Sequence, residues 1–102
     1  MERLKLSRHL IEERCDRVAY ILQKTGLGNV VYTAPLEKGR TAYITDEGVV
    51  YFKGQDGTII TIYYLEIDQA KYFRGDEKIP EKVVRAIERN RKRGWIEGQN
   101  QA

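Results

Sequence analysis

One histidine and one cysteine occur in this 102-residue chain, and both fall in a single charged stretch, "KLSRHLIEERCDRVAYIL", residues 5–22. His9 stands beside Arg8, with Arg14 and Arg17 further along. Imidazole transfers protons near neutral pH, and a guanidinium neutralises charge that develops on a phosphate. This mixture could therefore serve phosphoryl chemistry. Cys15 adds a nucleophile on paper, but six helical residues from His9 is about 600° of turn, which points the two roughly 120° apart. A lone cysteine is read instead as a small buried hydrophobe. Arg17 lies eight residues from His9, about 80° beyond two full turns, so the two share one broad flank. The plainer reading of that flank is a solvated face, with Glu13 and Arg17 as an i, i+4 pair and Glu12 and Asp16 as further partners.

A second group of candidates lies in "VVYFK" (49–53) and "TIITIYYL" (58–65). Strand alternation splits each run into two sets. The apolar set Val50, Phe52, Ile60 and Ile62 is assigned to the helix-packed core. The mixed set Tyr51, Lys53, Thr61 and Tyr63 then lines a wet face that can stack bases and bind phosphates. Ordinary strand preference for Tyr and Thr, on a half-solvated sheet, explains the same pattern. A third group is the basic run Arg85, Arg89, Arg91, Lys92 and Arg93. Arg85 and Arg89 share a helical face, and cations near a helix C-terminus also suit its dipole.

Other chemistries lack their signatures. There is no P-loop, and "GLGNVV" lies between a helix and a strand, the reverse of the dinucleotide-binding order. No G-x-S-x-G elbow is present. One His and one Cys are too few for a zinc site of about four ligands, so no metal and no cofactor are expected. A single cysteine closes no internal disulfide, which suits a reducing compartment. No apolar run nears the roughly 20 residues that span a bilayer, and the N-terminus has no signal-peptide stretch. A cytoplasmic protein without membrane contact is expected. The net charge of +3 and a pI near 9.0 permit nucleic acid or an acidic partner without requiring either.

The elements that must position these residues are legible. A helix is expected from about Ser7 to Thr25, with Ser7 as N-cap and Leu6 stapled to Ile11. Its apolar stripe is Leu10, Ile11, Val18, Ala19, Ile21 and Leu22. Gly26 and Gly28 stop it. Four strands follow over 29–34, 40–45, 49–53 and 58–65, separated by turns such as "DEG" and "GQDG". Short connections make them an antiparallel meander. A helical turn over 68–73 and a helix from Pro80 to about Arg93 complete the chain, with Val83, Val84 and Ile87 inward. Gly94 is expected to end that helix, Trp95 and Ile96 to fold back, and 97–102 to fray as a flexible tail. The class is α+β, α-β-β-β-β-α, as one domain over 1–96.

Together these pieces carry a resemblance. "LSRHLIEERCDR" resembles the pattern T/S-x-H-x3-R-x3-R of small bacterial toxin-related domains, whose last meander strand carries Thr and Tyr two apart, as Thr61 and Tyr63 are here. Ser7, His9 and Arg17 fit. Glu13 stands at the first arginine position, and Arg14 falls one residue late. Over roughly residues 4–65 the chain resembles the RelE/ParE-like, barnase–colicin-like ribonuclease superfamily. That resemblance implies a helix against a four-stranded antiparallel sheet and a metal-independent endoribonuclease. A ribose 2′-hydroxyl would attack the adjacent phosphate, with His9 as general base or acid. Arg17, with Arg40, would stabilise the phosphorane, and Thr61 and Tyr63 would position phosphate or base. Nucleic-acid contacts are expected at Arg8, Arg40, Tyr51, Lys53, Arg85 and Arg89. Expected partners are RNA or another nucleic acid, an antitoxin, or a second copy. The alternative is a non-catalytic phage or mobile-element protein that binds nucleic acid or protein.

Overall fold

A computed structural model describes residues 5–75 and 77–93. The expectations for Gly94, Trp95, Ile96 and the 97–102 tail lie outside the described residues. The element order is helix α1 (Arg8–Lys24), strands β1 (Val30–Pro35), β2 (Thr41–Thr45), β3 (Val49–Lys53) and β4 (Ile59–Tyr64), then helices α2 (Ile67–Arg74) and α3 (Glu81–Arg93). The strands form one antiparallel sheet in the order β1-β2-β3-β4. The α+β class and the meander are as the sequence indicates. The stretch after β4 forms a full helix, where a single turn was expected. Glu66 and Gln69 cap it reciprocally, which satisfies two otherwise orphaned N–H groups.

The sheet is covered on both faces. On one, Leu10, Val18 and Ile21 of α1 pack against Val49, Tyr51, Ile59, Ile62 and Tyr64. On the other, Ala70 of α2 and Val83 and Ile87 of α3 pack against Tyr32, Ala34, Ala42, Ile44 and Val50. The expected α1 stripe is thereby narrowed, because Ile11 is 51% exposed and Leu22 37%. Leu6 packs on the α1 core cluster, while its expected staple partner Ile11 faces solvent.

Register corrects the face assignment made from alternation. Opposite Val50 stands Tyr63, and opposite Phe52 stands Thr61. Thr61 and Tyr63 therefore share the α2/α3 face with Val50 and Phe52. Opposite Tyr51 stands Ile62, and the register shifts between Phe52 and Lys53. That shift leaves Ile60 as the extra residue and returns Ile59 to the α1 face. Alternation sorts residues within a strand, but it does not say which set meets which across a turn.

Candidate nucleic-acid interface

Arg17 is positioned by the way the chain enters its first helix. β4 is an edge strand, and residues 5–7 run beside it in parallel, with a bridge between Leu6 and Ile59. Ser7 N–H donates to Ile59 C=O at 2.8 Å, and Ile59 N–H to Lys5 C=O at 2.7 Å. The Ser7 hydroxyl accepts from Leu10 N–H at 3.1 Å, which caps α1 as expected. Helix α1 thus starts at the β4 edge and lies along it. Arg17 then reaches Thr61, 44 residues on, with Nη2 donating to Oγ1 at 3.4 Å. The guanidinium carbon also lies 5.9 Å from the Tyr63 ring centroid, within cation–π range. Three of the residues expected to act together are therefore neighbours.

His9 lies elsewhere on the same helix. Its Nδ1 pairs with the Glu13 carboxylate, and both side chains are exposed. Arg17 is about 12 Å further along the axis by helical rise, and Arg14 between them leaves helical geometry at φ −130°, ψ 21°. The expected pairing of Glu13 with Arg17 gives way to this one. A carboxylate on Nδ1 sets the proton there and leaves Nε2 as the ring's basic nitrogen. His9 and Glu13 thus form an oriented imidazole facing solvent. Cys15, expected to be buried, is exposed.

Three of the other candidate arginines are engaged in ion pairs. Arg8 pairs with Glu12 at 3.1 Å, Arg85 with Glu81 at 2.6 Å and Arg89 with Glu47 at 2.8 Å. These are solvated ion pairs, each contributing little to stability. Lys53 and Tyr51 lie on the α1 face, away from Thr61 and Tyr63. Tyr51 is 8% exposed and stacks on Tyr43 with ring centroids 5.2 Å apart. The Lys53 ammonium sits 5.2 Å from the Tyr43 centroid. Burial pushes the Tyr51 phenol above its ordinary value, and the neighbouring Tyr43 adds to this. The expected wet face carrying all four residues is therefore divided between two sides of the sheet.

Arg40 opens a feature that sequence reading missed. Its Nε donates to the Glu37 carbonyl at 3.2 Å, and it lines a cavity of about 530 Å³ with Glu37, Phe52, Tyr72 and Phe73. The signal was present as "KYFRG" after β4, two adjacent aromatics on a short helix, but nothing local tied it to the β1–β2 loop. Among the described residues, no group of three His, Cys, Asp or Glu side chains is placed to hold a metal ion. Among them too, no helix is long and apolar enough to cross a membrane. Comparison with protein-family models, curated proteins and solved structures yields no match.

Proposed function

We propose that this protein binds RNA along the α1–β4 edge and cleaves it as a metal-independent endoribonuclease related to the small bacterial toxins. The observation that supports this reading is the meeting of Arg17 with Thr61 and Tyr63 across 44 residues of sequence. Arg17 anchors a phosphate, Thr61 offers a hydroxyl beside it, and the Tyr63 ring borders the adjoining base. Nε2 of His9 takes the proton from a ribose 2′-hydroxyl. The 2′-oxygen bonds to phosphorus, the bond to the 5′-oxygen breaks, and water protonates the leaving oxygen. The products are a 2′,3′-cyclic phosphate and a 5′-hydroxyl. Glu13 orients the imidazole for this step.

The test is incubation of the purified protein with single-stranded RNA in excess chelator. Wild type is expected to leave cyclic phosphate ends, and His9→Ala to slow cleavage by about 100-fold or more. Cleavage that survives His9→Ala unchanged removes His9 from the reaction. A second reading, RNA binding without cleavage, is favoured by the rise of about 12 Å between His9 and Arg17 along α1. Binding that falls on Arg17→Ala, with no cleaved ends from wild type, selects it.

A further inference from the structure

The cavity beside Arg40 is joined to Arg17 by a row of rings. Tyr63 lies 6.0 Å from Phe52, edge to face. Phe52 lies 5.9 Å from Phe73, again edge to face. Phe73 lies 5.6 Å from Tyr72, and Tyr72 is 81% exposed. The row runs from the Arg17 guanidinium at one end to the Tyr72 ring at the mouth of the cavity. Each step is about 6 Å; Tyr63, Phe52 and Phe73 are partly buried against the core, and Tyr72 is the exposed end of the row.

The cavity walls suit a flat, polar-edged ring. Phe52, Phe73 and Tyr72 give apolar faces, while Arg40 and Glu37 give a donor set and an acceptor. At about 530 Å³ the space falls within the range of small-molecule sites. A tight loop fixes Arg40 at the rim. Leu36 N–H donates to Arg40 C=O at 2.8 Å, and Arg40 N–H to Glu37 C=O at 3.3 Å. Lys38 and Gly39 turn this loop with φ of 61° and 73°. Arg40 donates Nε to the Glu37 carbonyl and lines the cavity.

We infer that this cavity is a base-binding subsite for single-stranded RNA whose phosphate is held at Arg17. The inference rests on the proposed RNA-binding function and adds where an unstacked base goes. The base lies against Tyr72 and Phe73, and Arg40 and Glu37 meet its polar edge. Stacking tolerates any base, because each has a π face.

The experiment measures binding of a labelled hexauridylate and hexaadenylate by the full chain, across a salt series. Tyr72→Ala is expected to weaken both by roughly 5- to 100-fold and to leave the salt slope unchanged, since no charge is lost. Tyr72→Phe should bind as wild type. Arg17→Ala should weaken binding and flatten the salt slope by about 0.7, one phosphate's share for a single strand. If Tyr72→Ala binds as wild type while Arg17→Ala is weakened, the subsite is overturned and the RNA-binding function stands. If Tyr72→Ala alone is weakened, the subsite stands and Arg17 is not the anchor. No binding by wild type overturns both. Tyr72 is exposed, so its substitution leaves the fold intact, and an unchanged melting curve verifies this.

Discussion

Arg17 and Tyr51 show how differently two candidate residues are spent. Arg17 links helix and strand, and its neighbours Thr61 and Tyr63 are groups that a nucleic acid also uses. Tyr51 is committed to the core, under Tyr43 and Lys53. Its phenol is held neutral by burial, which raises its pKa above the ordinary value near 10. The raised value sets a sign. Tyr51 contributes stability that is fully present below its unfolded pKa and is lost as pH rises through its folded pKa. Stability should therefore fall above about pH 10. Tyr51→Phe is expected to reduce that fall while leaving the melting temperature at pH 7 nearly unchanged. A variant with the same alkaline decline as wild type would assign the decline to other groups. Tyr32 adds to it, because burial raises its phenol too, though Arg74 pulls it the other way. Its hydroxyl donates to the Ala70 carbonyl, so Tyr32→Phe costs a hydrogen bond wherever the phenol is protonated, pH 7 included.

At the scale of elements, α3 depends on one turn. Asn90 is fully buried on α3, and its Nδ2 donates to the Glu47 carbonyl at 2.8 Å. Arg89 pairs with the Glu47 carboxylate beside it. Gly48 allows this approach. Its φ is +72°, and a Cβ there would stand 2.8 Å from Asn90 Nδ2 and 3.2 Å from the Ala86 backbone. Gly48→Ala should cost about 1–3 kcal/mol through both the strained φ and the contact. A denaturant midpoint equal to wild type would show that α3 docks without this turn. The turn "DEG" was legible from sequence, and so were the four strands, the Ser7 cap and the order of elements. Their determinants are local: β-branched runs, turn glycines and a hydroxyl before an apolar stripe. The pairing of Val50 with Tyr63 was not legible, because it depends on an extra residue at Ile60 that alternation alone does not reveal. The α2 helix was underestimated for a related reason. Its stability comes from Ala70 and Phe73 packing on distant strands, which no short window contains. Of the site, the meeting of Arg17 with Thr61 and Tyr63 was expected from the family resemblance rather than from residue types, and His9, expected with them, lies elsewhere on α1. The cavity could not be anticipated, since its walls come from the β1–β2 loop, β3 and α2.

At the scale of the whole molecule, several cations are paired within the chain. The chain carries 18 Lys and Arg against 15 Asp and Glu, a small surplus. Lys5, Arg8, Arg74, Arg85 and Arg89 each meet a carboxylate of this same chain. A protein that grips RNA through a broad basic face loses affinity steeply with salt, because each neutralised phosphate releases counterions. Arg17 and Arg40 stand at the two ends of the aromatic row. Binding along that row should show a slope of log K against log salt of about −0.7, the share of the one phosphate held at Arg17 on a single strand, since Arg40 meets a base edge. Stacking supplies the rest of the affinity and is indifferent to salt, so measurable binding should persist at high ionic strength. Equilibrium titration of a labelled hexauridylate at several salt concentrations measures the slope. A value steeper than about −3 would mean that Arg85 and Arg89 leave their carboxylates to join the interface. The double variant Arg85→Gln, Arg89→Gln would then flatten the slope, whereas binding confined to the aromatic row predicts that it changes nothing.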